Sequence, residues 1–173
     1  MKHDIDWSKC HNGLMLCSFD QVYGLMPEII PILDELCPSL ELSTDEYRVD
    51  VKIHMLMPNQ YPCIPNWHCD FLPRDAEGNR AKTQYSPLKM YMWISGEPLT
   101  EYKRKDGTTY TKPANEWHAF TQKDLHRVTV SSSHTWRCFI RVIPTCFVHA
   151  TTINRGQIRR HSQVYLDAAK FKW

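Results

Sequence analysis

The segment Tyr47-Arg48-Val49-Asp50-Val51-Lys52-Ile53-His54-Met55-Leu56-Met57 places apolar or aromatic residues at every odd position and mostly polar ones between them. Successive side chains of an extended strand point to opposite sides, so this alternation predicts a strand with one buried face. Further β-prone runs follow at residues 88–95 (LKMYMWIS), 117–120, 127–131 and 136–143 (WRCFIRVI). The segment EYKRKDGTTYTK reads as a hairpin, because Asp106-Gly107 supplies a two-residue turn between β-prone arms. Ahead of the strands, Val22, Leu25, Met26, Ile29, Ile30, Leu33 and Leu36 recur at the spacing of one helix face. Pro27 and Pro31 interrupt that pattern, so either a helix starts near Pro27 or two short helices abut there.

A helix followed by many short strands predicts a mainly β fold with flanking helices, a sandwich or barrel. The expected layout is one domain over 1–173, with a helical buttress at 14–37, a β core at about 47–143 and an extension at 144–173. The length of 173 residues suits a single core. Lys+Arg number 21 against 19 Asp+Glu, too even a balance to imply a nucleic-acid partner without local clustering. The N-terminal MKHDIDWSKCHNG has no apolar stretch of signal-peptide type, and no run reaches the roughly 18–20 apolar residues of a membrane span. Seven scattered cysteines without a C-x-x-C pair argue against a disulfide framework and a zinc knuckle. Reduced thiols and a cytoplasmic location are the expectation.

His68 and Asp70 stand at i and i+2 on the extended segment Trp67-His68-Cys69-Asp70, so both side chains can reach one ion. Two histidines and one carboxylate with open positions suit non-haem Fe(II). The third ligand is sought among His118, His126 and His134. His126 opens the β-prone run Leu125-His126-Arg127-Val128, with Arg137 eleven and Arg141 fifteen positions beyond it. The two arginines lie four apart on one strand face. A buried guanidinium there can grip a carboxylate through two parallel hydrogen bonds, an anchor for the distal carboxylate of 2-oxoglutarate. His118 and His134 have threonine (Thr129 and Thr145) at the corresponding distance. The plainer alternative makes His68 and His126 structural histidines and Asp70 a loop cap before Pro73.

This constellation resembles the H-x-D…H…R signature of the Fe(II)/2-oxoglutarate-dependent dioxygenases. The string KMYMWISGEPLTEY also resembles the strand that usually follows the first two ligands of that family. The resemblance covers roughly residues 47–143 and implies a double-stranded β-helix (jelly-roll, cupin-like) core. It implies Fe(II) on His68, Asp70 and His126, and 2-oxoglutarate chelating the metal with its C5 carboxylate on Arg137. Oxidative decarboxylation to succinate would then drive removal of a hydrogen from the substrate, as in hydroxylases and demethylases. Arg141 and Tyr91 are further cosubstrate candidates, with Tyr61, Thr129 and Lys89 as alternatives. Trp67, Tyr61 and Trp93 are the aromatic candidates for substrate contact. No catalytic residue beyond the metal ligands is expected.

Two basic segments, 103–112 (Lys103, Arg104, Lys105, Lys112) and 155–161 (Arg155, Arg159, Arg160, His161), neighbour aromatics. Cations beside stacking surfaces suit nucleic acid or a nucleotide-like substrate, and equally an exposed hairpin and a solvated tail. Two other function classes fit the residues. One is a non-catalytic β-helix protein that binds a nucleotide or other small ligand. The other is a cupin-like hydrolase with Zn²⁺ or Mn²⁺ on the same three residues.

Overall fold

The computed structural model describes residues 3–10, 12–63, 65–73, 85–148, 157–160 and 166–167. Eleven strands and two short α-helices are found among them: β1 (Asn12–Cys17), α1 (Phe19–Leu25), α2 (Ile30–Leu36), β2 (Tyr47–Leu56), β3 (Gln60–Tyr61), β4 (Met90–Ile94), β5 (Thr100–Lys103), β6 (Thr109–Thr111), β7 (His118–Phe120), β8 (His126–Val128), β9 (Thr135–Pro144), β10 (Gln157–Arg160) and β11 (Leu166–Asp167). All pairings are antiparallel. One sheet has six strands in the order β10-β1-β2-β9-β4-β7; a second has three, β6-β5-β8; β3 and β11 form a short pair.

From β4 onward the chain alternates between the sheets: β4 in the large one, β5–β6 in the small, β7 large, β8 small, β9 large. The hairpin turns at Gly107, whose φ of 88° favours glycine. The strands β2 and β9 pair along their full ten residues, from Tyr47↔Pro144 to Leu56↔Thr135, and form the spine of the molecule.

Alternation along these strands decides what each face meets. Val49, Val51 and Ile53 of β2, Tyr91 and Trp93 of β4, and Cys138, Ile140 and Val142 of β9 share the core packed under the helices. Phe19, Val22, Ile29, Ile32, Leu33 and Leu36 supply the helical side. Each such aliphatic side chain, once fully buried, contributes about 1.5–3 kcal/mol of transfer free energy. The opposite face turns Met90, Met92 and Ile94 against Tyr102 and Phe120 between the two sheets.

The structure settles the proline ambiguity in favour of two helices. Ser18 opens α1 by accepting from Gln21 N, and the Gln21 side chain accepts from Ser18 N in return. Pro27 has no N–H to continue the helix; a 3₁₀ turn (Pro27–Ile29) follows, and α2 begins anew with Pro31 in its first turn.

Two boundaries differ from expectation. The helical buttress does not begin at residue 14, because Asn12–Cys17 is a strand beside β2. Its alternation is masked by a bulge: Leu16 takes φ 53° and its N–H donates to Asp50 Oδ1 at 2.8 Å. The sheet also reaches beyond 143, since Gln157–Arg160 pairs with Asn12–Met15. Among the described residues, no helix is long and apolar enough to cross a membrane.

Candidate metal centre

His68 and His126 are brought together by backbone, before any side chain acts. Each donates its N–H to the other's carbonyl at 2.9 Å, an isolated antiparallel bridge that adds the segment around His68 to the edge of β8. The ring centroids lie 4.6 Å apart. His68 Nδ1 meets the Asn66 carbonyl at 2.7 Å and His126 Nδ1 meets the Asp124 carbonyl at 2.9 Å. A carbonyl oxygen can only accept, so Nδ1 donates in both rings, and in the neutral imidazole this leaves each Nε2 as a lone pair. Fixing the tautomer through the other ring nitrogen is how metal-binding histidines are oriented.

Both lone pairs face Asp70. His68 Nε2 lies 3.7 Å from Asp70 Oδ1, and His126 Nε2 lies 3.6 Å from Oδ2. These separations are too long for hydrogen bonds. The three ligand atoms fall within 4.8 Å of one another, and the group can hold a metal ion. The His126 ring is fixed between Tyr102, with centroids 5.6 Å apart, and Phe120, edge-on at 5.7 Å.

Asp70 is held as a carboxylate. Burial opposes its ionisation, but the Arg141 guanidinium beside it outweighs that and keeps its carboxyl well below the usual range. Arg141 Nη1 donates to Asp70 Oδ2 at 2.5 Å, while its Nε and Nη2 donate to Asp50 Oδ2 at 3.2 and 2.6 Å. A relay therefore runs from Leu16 N through Asp50 and Arg141 to Asp70. Asp50 is the residue that sequence reasoning missed here; its signal was an acidic side chain directly opposite Arg141 in the β2–β9 register.

The His-Asp-His group opens into a cavity of about 90 Å³ between the sheets, whose walls include His54, Met92, Phe120, Val128, Arg137 and Phe139. A water needs some 10–15 Å³ of such space, so this is room for roughly six to nine water-sized groups, the scale of a short organic acid. Arg137 is only 2% exposed, and neither Nε nor Nη2 has a hydrogen-bond partner among the described residues. Burial pushes its pKa down to about 10, still far above neutrality. Glu97, the nearby carboxylate, accepts from Ser131 Oγ, Ser132 N and Ser132 Oγ instead.

Arg141 also lines the cavity, but its Nε, Nη1 and Nη2 donate to Asp50 and Asp70, which commits its guanidinium to those two carboxylates. Other sequence candidates lie elsewhere. Tyr91 and Trp93 sit at odd positions of β4 and point into the helix-side core, away from the cavity. Tyr91 donates to the Ser39 carbonyl at 3.0 Å, and Trp93 lies tilted against Trp7 with ring centres 6.1 Å apart. The expected roles of Tyr91 in the cosubstrate pocket and of Trp93 in substrate contact are thus corrected by strand parity. Lys89 pairs with Glu41 at 2.9 Å, and Thr129 Oγ1 donates to the Leu99 carbonyl. His118 meets the Pro113 carbonyl on β7, and His134 is exposed; neither joins the group.

Tyr61 and Trp67 do meet, in a groove of about 440 Å³ with Arg127, Thr129 and Val130, and Val128 belongs to the walls of both groove and cavity. The Arg127 guanidinium lies 4.6 Å and the Lys103 ammonium 5.6 Å from the Trp67 ring centre. Of the basic segments, residues 103–109 are exposed. Arg159 and Arg160 fall in β10, while Arg155 and His161 lie outside the described residues.

No protein-family model matches the chain, and no match to a curated protein was found.

Proposed function

We propose that this protein is a non-haem Fe(II)/2-oxoglutarate-dependent oxygenase built on a double-stranded β-helix. The alternation of β4 to β9 between two antiparallel sheets supports the fold reading. The observation that carries the activity is Arg137: a buried guanidinium, two of whose nitrogens have no partner among the described residues, lining the same cavity as a His-Asp-His group. A buried cation without a counter-charge is costly, and an anionic ligand removes that cost. A hydrolase using the same three ligands would leave Arg137 without a purpose.

The donor set fits Fe(II). Two imidazole lone pairs and one ionised carboxylate, on tautomers fixed by backbone carbonyls, leave further coordination positions for small ligands. When bound, Fe(II) with 2-oxoglutarate supplies the oxidising power through reduction of O₂ coupled to decarboxylation of the cosubstrate. The chain's share is positioning. His68, Asp70 and His126 hold the metal, and Arg141 keeps Asp70 ionised and oriented. Arg137 takes the distal carboxylate, and Met92, Phe120 and Phe139 keep water from the space between.

The substrate approaches along the groove of Tyr61 and Trp67, which adjoins the cavity at Val128. Its aromatic and cationic lining suits a planar, anionic molecule such as a nucleotide. The test is anaerobic addition of 2-oxoglutarate to the Fe(II)-loaded protein, followed by succinate release on admitting O₂. The expected result is a weak visible charge-transfer band, lost in Asp70→Ala and weakened in Arg137→Ala. Absence of both band and succinate in the unaltered protein would sink the reading.

A further inference from the structure

The cavity holds one more buried polar group that this reading does not use. His54 is the register partner of Arg137 across β2 and β9. Directly opposed residues stand with Cβ atoms about 4.5–5.5 Å apart on one sheet face. Both side chains line the cavity, and His54 is 5% exposed. His54 Nδ1 has no hydrogen-bond partner among the described residues, while the Pro62 backbone favours a proton on the ring, which places it on the other nitrogen, Nε2. In a neutral ring that leaves Nδ1 as a bare lone pair. The cavity wall thus shows unsatisfied guanidinium N–H donors beside an unsatisfied imidazole acceptor.

A carboxylate seated on the Arg137 fork turns oxygen lone pairs toward His54 Nδ1. Two lone pairs repel unless a proton lies between them. We propose that His54 and Arg137 form a proton-coupled carboxylate site: as the anion accepts from Arg137, His54 Nδ1 takes one proton from solvent and donates it to the anion. One anion and one proton enter together, and no covalent bond to carbon changes. The inference rests on the reading above, in that the carboxylate is the distal one of 2-oxoglutarate.

The charges around His54 favour this coupling. In the ligand-free cavity, burial first, then the Arg137 and Lys52 charges, push its pKa down to about 3, so the ring is neutral. Lys52 stands beside it on β2, Arg137 on β9 and Cys63 on the segment after β3, with His68, Asp70, His126 and the Asp-paired Arg141 in the same walls. An anion on Arg137 cancels the nearest opposing charge and supplies an acceptor for the new N–H. Linkage then requires that binding weaken as pH rises, by up to about tenfold per unit where one full proton is taken up.

The test uses the full chain loaded with Zn(II), which is diamagnetic and redox-inert, and 2-oxoglutarate as the probe. Calorimetry in two buffers of different ionisation enthalpy counts protons, and ¹⁵N NMR follows His54 Nδ1 in the unaltered protein. The expected result is uptake of about one proton and movement of the Nδ1 resonance to its protonated position. His54→Gln, whose amide donates without a proton, binds with that uptake abolished. Binding with Nδ1 still unprotonated would overturn the role of His54 and leave Arg137 as the anchor. No binding at all would overturn the cosubstrate reading and this inference with it. If His54→Gln fails to fold, the resonance in the unaltered protein decides alone.

Discussion

His68 and His126 lie 58 residues apart (126 − 68) yet exchange both of their backbone hydrogen bonds, N–H to carbonyl in each direction at 2.9 Å. The ligand pair is therefore fixed by main chain, and its side chains need only the correct rotamers. Asp70, two residues on from His68, is fixed differently, by the charge of Arg141.

Metal binding should depend most on Asp70. Asp70→Asn keeps the shape and one acceptor oxygen but removes the ionised ligand. We expect Mn(II) affinity, measured by calorimetry on metal-free protein, to fall at least tenfold; unchanged affinity would exclude Asp70 as a ligand.

Asp50 should matter more for stability than Asp70. It is 2% exposed and accepts two hydrogen bonds from Arg141 and one from Leu16 N. Asp50→Ala leaves Arg141 buried with one partner and orphans the Leu16 N–H, a loss of about 3–5 kcal/mol. Asp70→Ala leaves the Asp50 pair intact and should cost about 1–3 kcal/mol. Urea denaturation of both variants gives the ranking, and a reversed order would contradict the relay.

Arg137 should trade stability for binding. Among the described residues no carboxylate pairs with its buried guanidinium, so Arg137→Met should raise the stability of ligand-free protein by about 1–3 kcal/mol. The same change should weaken 2-oxoglutarate binding at least tenfold. Thermal melts with and without ligand test both halves, and a destabilised ligand-free variant would show that Arg137 already has its compensation within the fold.

Acid should destabilise the protein well above the carboxylate range. The unfolded chain protonates His54 below its ordinary pKa of 6.5, whereas the folded protein resists protonation down to about 3, mainly through burial. Unfolding therefore takes up a proton in that window, and stability falls as pH drops, by at most about 1.4 kcal/mol per unit from this group. Asp70, depressed in the fold, contributes above its unfolded value of 3.8 and is lost only below it. Denaturation midpoints at pH 7.5 and 5 should differ less in His54→Gln than in the unaltered protein.

The sequence by itself determined the mainly β class, the places of the long strands β2 and β9, the hairpin at Gly107 and the three residues that meet as a candidate metal group. Period-two alternation and turn chemistry are local, and a single chain displays them. It left open whether Pro27 splits the helical segment, and it concealed β1, whose pattern a bulge at Leu16 breaks. Only the tertiary structure decided which face of each strand meets what. The even positions of β2 look solvent-facing, because Asp50, Lys52 and His54 are polar. The small sheet covers that face, so they become the relay and the cavity wall. The same parity sends Tyr91 and Trp93 to the helices and commits Arg141 to two carboxylates, leaving Arg137 as the open guanidinium. A strand's sequence states that its two faces differ, but which face is covered depends on another sheet folded over it from elsewhere in the chain.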